Sequence, residues 1–93
     1  MLNAPEKPRL KRHVRLRLDE MTGHTFVLYP EMGLLLNASG IRILQLCEEG
    51  RTFLEITAIL ADESQSPSDT VARDVRAFLL ELFQRGLLDG INP

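Results

Sequence analysis

The apolar residues of this 93-residue chain alternate along its first third and recur at helical spacing afterwards. The change of rhythm falls inside Pro30-Glu31-Met32-Gly33-Leu34-Leu35-Leu36-Asn37-Ala38-Ser39-Gly40-Ile41, which reads as a turn, a short apolar strand and a helix start in direct succession. Period two belongs to strands and period 3.6 to helices, so strands come first and helices follow. A chain ordered in this way is expected to fold as an α+β domain, winged-helix-like, with a three-stranded antiparallel sheet followed by three helices.

From Arg9, the residues Leu10, Val14, Leu16 and Leu18 take one parity, while Arg9, Lys11, His13, Arg15 and Arg17 take the other. Arg12 alone breaks the pattern. This predicts a half-buried first strand with a basic outer face, most secure from Val14 to Leu18. Asp19 to His24 reads as a turn, and the β-branched and aromatic run Thr25 to Tyr29 should pair back on the first strand. After a second turn at Pro30 to Gly33, Leu34 to Asn37 forms the third strand. A simple meander then places Thr25–Tyr29 in the middle and leaves the third strand with one free edge.

Asn37 or Ser39 can cap the first helix, whose Ile43, Leu44, Leu46 and Cys47 form its inward face, and Gly50 ends it. Thr52-Phe53-Leu54-Glu55 is a capping-box pattern opening a second helix, with Phe53, Ile56 and Leu60 inward. Ser66 as cap and Pro67 as first helical residue predict a third helix stopping at Gly86. Its inward face is Val71, Val75, Phe78, Leu79, Leu82 and Phe83. Leu80 falls outside that face, near Arg73, Arg76 and Ala77. Leu87 and Leu88 should fold back to close the core.

At this length one domain is expected, over residues 9–93, after a loose segment of residues 1–8 that contains Pro5 and Pro8. The lone Cys47 forms no intrachain disulfide, and no charged leader precedes a sustained apolar run. A cytoplasmic, soluble protein without membrane association follows as the expectation. Charge is unevenly divided. Met1 to Arg17 carry +5 and the remainder −7.

Catalytic chemistry finds little footing. His13 and His24 stand at no metal-ligand spacing from each other or from Cys47, so no metal is expected. Glu48 and Glu49 diverge on a helix and do not form an acid–base pair. Cys47 lies on an apolar helix face, where a thiolate is costly. The glycines stand singly, with no phosphate-cradling loop. The expectation is a protein that is not an enzyme and carries no cofactor.

Binding is better served. Neighbours on a strand point to opposite faces, so at least one of Leu34, Leu35 and Leu36 should lie outside the main core. Together with Leu80, this suits either capture of a peptide as an added strand or burial in a homodimer. A winged helix that binds DNA is the rival reading. It requires a basic third helix, and here Arg73, Arg76 and Arg85 are offset by Asp69, Asp74 and Glu81, so no nucleic-acid partner is expected.

The ordered set Val14-Arg15-Leu16-Arg17-Leu18-Asp19, Val27-Leu28-Tyr29-Pro30-Glu31, Leu36-Asn37-Ala38-Ser39-Gly40, Ile43-Leu44-Gln45-Leu46-Cys47, Gly50-Arg51-Thr52, Asp74-Val75 and Phe78-Leu79 resembles the PqqD family of peptide chaperones in pyrroloquinoline quinone biosynthesis. The likeness runs from about Pro8 to Leu88. Cys47-Glu48-Glu49-Gly50 departs from it, standing where the family has a shorter Cys-Asp-Gly. The resemblance implies a non-catalytic role: binding the precursor peptide PqqA and presenting it to the radical S-adenosylmethionine enzyme PqqE. It also implies that the peptide lies beside the third strand and against the third helix, on Leu34, Leu35, Leu36, Arg73, Arg76, Ala77 and Leu80. A leader-recognition domain for another ribosomally made modified peptide would work in the same way.

Overall fold

The computed structural model describes residues 6–29 and 32–91. Eight elements follow in order: β1 (Arg9–Leu10), β2 (Arg15–Leu18), β3 (Thr25–Tyr29), β4 (Met32–Leu35), α1 (Ala38–Glu48), α2 (Phe53–Ser64), α3 (Ser68–Gln84) and β5 (Leu88–Asp89). Of the turn expected at Pro30 to Gly33, residues 30 and 31 lie outside the described residues, while Met32 and Gly33 already belong to β4, which ends at Leu35 and not at Asn37 as expected. The α+β order and the β2-β3-β4 meander are as expected, with β3 in the middle of an antiparallel sheet.

The continuous first strand does not survive intact. It divides where Arg12 broke the alternation: the Val14 N–H donates to the Lys11 carbonyl at 2.9 Å and closes a turn. The Arg15 guanidinium braces that turn from outside, donating to the carbonyls of Arg12 at 2.6 Å and Val14 at 3.1 Å. Residues before the turn form β1, which pairs with β5 as a separate two-stranded sheet, Arg9 opposite Asp89 and Leu10 opposite Leu88.

Residues 6–8, expected to be loose, are fixed. The Lys7 N–H donates to the Gly90 carbonyl at 3.1 Å, the Glu6 carbonyl accepts from Phe53 N–H at 2.8 Å, and Pro8 is buried. Gly90 permits the approach. Its φ is +85°, and a Cβ at this position would overlap the Lys7 carbonyl.

The helix boundaries follow their local chemistry. Asn37 caps α1, its Oδ1 accepting from Gly40 N–H at 2.8 Å. Gly50 ends that helix at φ +82°. Thr52 and Glu55 make the reciprocal capping box of α2 at 3.1 and 2.8 Å, and this hydrogen bonding lowers the Glu55 pKa. The start of α3 is shifted by one residue from expectation. Pro67 is itself the cap, with extended backbone, while the Ser66 hydroxyl donates to the Ser64 carbonyl and leaves the helix without a side-chain cap.

The core forms where the sheet meets the three helices. Val14, Val27 and Leu36 join Leu44, Leu46, Cys47, Ile56, Val75, Leu79, Leu82, Leu87 and Leu88 in one buried cluster. Each large aliphatic side chain taken from water there contributes about 1.5–3 kcal/mol. Leu87 and Leu88 close the core as expected, the Leu87 N–H bonding back to the Leu82 carbonyl at 2.9 Å.

Candidate peptide-binding edge

β4 borders the three-stranded sheet, and the phase of its hydrogen bonding fixes which groups it offers outward. Leu36 N–H donates to the Thr25 carbonyl at 3.1 Å, so Leu36 and Thr25 are a bonded pair. Bonded and non-bonded pairs alternate along an antiparallel ladder. With Phe26 opposite Leu35, Val27 opposite Leu34 and Leu28 opposite Gly33, the inward-bonding residues of β4 are Leu34 and Met32. Gly33 and Leu35 direct their N–H and C=O groups away from β3. Among the described residues no strand takes them up. Gly33 carries no side chain, which lets a second backbone approach closely.

The residues expected to make the site divide into two groups. Leu34 and Leu35 belong to β4; their side chains lie outside the described residues. Leu36 follows directly and is 8% exposed, so it is a core residue and not an open contact. On α3, Arg73 and Ala77 are exposed, and Arg76 and Leu80 are half-buried along one flank.

That flank is engaged by the start of α2 and by the segment before β1. The Arg76 guanidinium sits 4.5 Å from the centre of the Phe53 ring at the start of α2 and forms an ion pair with Glu6. Phe78, two residues on and therefore about 160° around the helix, packs against α1. A Cβ on Gly40 would stand 3.0 Å from its ring, and Gly40 lies only four residues beyond Leu36. The α3 flank nearer the end of β4 is thus that of Phe78. Helical spacing identified a face of α3 but not which neighbour occupies each flank; the small Gly40 opposite the large Phe78 is the one signal that could have done so.

Beside this junction lies an open cavity of about 440 Å³ between the three helices, bounded by Ser39 and Arg42, Leu60 and Glu63, and Val71 and Asp74. Arg42 and Glu63 span α1 and α2 as a two-point ion pair at 3.0 and 2.6 Å. Their hydrogen bond raises the arginine pKa and lowers that of the carboxylate. Among the described residues no group of three or more His, Cys, Asp or Glu side chains is placed to hold a metal ion, and no helix is long and apolar enough to cross a membrane. Within α3, the acids Asp69, Asp74 and Glu81 outnumber Arg73 and Arg76, so the helix presents no basic face to a phosphate backbone.

Three helices on a small three-stranded antiparallel meander define a winged-helix-like α+β domain. The family model described as coenzyme PQQ synthesis protein D (PqqD) matches residues 24–88, and the chain belongs to this family. It is 35% identical over 87 residues to a protein of Rhodopseudomonas palustris (strain TIE-1) named PqqA binding protein, covering 94% of this chain and 85% of the relative. A protein of the same name from Rhizobium meliloti (strain 1021) is 33% identical over 81 residues, with coverages of 87% and 83%. Among solved structures, the PqqD truncation of Methylobacterium extorquens PqqCD, described as a stand-alone recognition element for ribosomally synthesized and post-translationally modified peptides, superposes with a TM-score of 0.75 at 30% identity, covering 88% of this chain and 87% of that one. TbiB1 in complex with the TbiA(beta) leader peptide gives 0.80 at 29% identity, covering 91% and 99%.

Proposed function

We propose that this chain is a non-catalytic, cytoplasmic peptide chaperone whose single domain, residues 9–93, binds the precursor peptide PqqA as an added strand along β4 and presents it to the radical S-adenosylmethionine enzyme PqqE. The outward N–H and C=O groups of Gly33 and Leu35 carry this reading. Membership of the PqqD family, relatives named for binding PqqA, and likeness to a domain solved with a leader peptide support it. Strand pairing by itself does not outweigh the entropy lost in ordering a free peptide, so apolar side chains at alternate positions of the guest must supply the remainder. The site comprises the backbone of β4 and the adjacent α1–α3 junction at Phe78. The α3 residues Arg73, Arg76, Ala77 and Leu80 act at most on a distant part of the peptide.

The test uses the asymmetry of the ladder. Leu35→Pro removes an N–H that the fold does not use, whereas Leu35→Ala keeps it. Calorimetry with synthetic PqqA should show Leu35→Pro weakening binding at least about tenfold more than Leu35→Ala, a difference of about 1.4 kcal/mol. Both variants should retain a cooperative thermal transition. Equal affinities of the two variants would remove backbone pairing at β4 from the mechanism.

A further inference from the structure

The same sheet has a second bare border, at β2. The Asp19 N–H donates to the His24 carbonyl at 2.8 Å, which sets the phase of this ladder as Leu36 set the other. With Arg17 opposite Phe26 and Arg15 opposite Leu28, these are the bonded pairs. The N–H and C=O groups directed outward therefore belong to Leu16 and Leu18. No strand covers them among the described residues.

Much of the unpaired positive charge of the described residues lies on or beside this border, Lys7 and Arg73 being the other cations without an ion pair among them. Arg42, Arg51, Arg76 and Arg85 each have a carboxylate partner, while Arg9, Lys11, Arg12, Arg15 and Arg17 have none among the described residues. Four of those five, Arg9, Lys11, Arg12 and Arg15, line one open groove of about 460 Å³, in which Glu48 is the single acid. Arg15 is held in place by its bonds to the Arg12 and Val14 carbonyls. At the far end of β2, Leu18 is 57% exposed and Met21 96%.

We infer that the β2 border is a second docking edge, and that it takes an extended acidic polypeptide segment with carboxylates at alternate positions. Arg15 and Arg17 project from one face of the strand about 7 Å apart, the repeat of acids two residues apart on a paired strand. Outward amides at Leu16 and Leu18, with apolar surface at Leu18 and Met21, favour a polypeptide. A phosphate backbone would gain nothing from them. A face whose only task is to repel neighbouring edges does not need an immobilised guanidinium.

The experiment is an amide-shift titration of the whole ¹⁵N-labelled chain with a blocked hexapeptide alternating valine and glutamate. Shifts are expected at Leu16 and Leu18, with Gly33 and Leu35 unmoved, and they should weaken as salt is raised. Among the described residues Arg17 makes no hydrogen bond through its side chain, so Arg17→Glu should fold normally; it should weaken the glutamate peptide about three- to tenfold and favour its lysine counterpart instead. Arg17→Gln serves if circular dichroism finds Arg17→Glu unfolded, and should give a smaller loss of the same sign. The proposal is overturned by an absence of shifts at Leu16 and Leu18, by equal binding of a glutamine version of the peptide, by sedimentation showing that self-association accounts for the shifts, or by random duplex DNA displacing the peptide from these amides. Because the reporters on β2 and β4 are different amides, failure here leaves the β4 reading standing, and failure at β4 leaves this one.

Discussion

Cys47 is 2% exposed on the inward face of α1, and burial, with a lesser contribution from Glu48, pushes its thiol up to about 12. An unfolded chain ionises the same thiol near about 8.5. The folded pKa lies above the unfolded one, so the stability linked to this group is complete below about pH 8.5 and is lost as pH rises toward 12. Urea titrations across that window should show the unfolding free energy of the natural chain falling more steeply than that of Cys47→Ala, by up to about 1.4 kcal/mol per pH unit. Parallel slopes would mean that the thiol is open to water in the folded protein. The same burial removes Cys47 from the candidates for nucleophilic chemistry, as its place on an apolar helix face suggested from sequence.

At the scale of elements, local chemistry was readable and long-range placement was not. β3 and the three helices follow from alternation, caps and the 3.6 period, because each is decided by residues within a few positions of one another. β1 and β5 are two residues long and stabilise each other only across the whole chain, so no window of sequence contains their cause. The free edge at β4 was legible, since a meander of three strands leaves its last member open. For α3 a helical wheel groups Arg73, Arg76, Ala77 and Leu80 on one flank but gives no neighbours, and the engagement of Arg76 with Glu6 and Phe53 is a tertiary fact. Leu80 shares that flank. Leu80→Asp should therefore leave the affinity for synthetic PqqA within about twofold, the range of a change remote from a binding surface. A loss of tenfold or more, with the thermal transition unmoved, would return the Arg76 flank to the groove.

Across the whole molecule, three strands separate two borders of different character, one with Gly33 at its centre and one flanked by arginines. Adjacent strands are about 4.8 Å apart, so the borders lie only about 10 Å from each other on one rigid sheet. A second copy of the chain would compete with the peptide for β4. Sedimentation velocity at high protein concentration should show any dimer giving way to a one-to-one complex as PqqA is added. A dimer that persists under saturating peptide would place self-association on another surface. The clasp between β1 and β5 has a mechanical corollary. Its strands run antiparallel with Arg9 opposite Asp89 at the outer end, so tension applied through residues 6 and 91 loads its bonds in sequence, as a zipper is opened. A machine that grips either flank and pulls would peel this corner first, drawing Ile91 and then Leu88 out of the hydrophobic cluster.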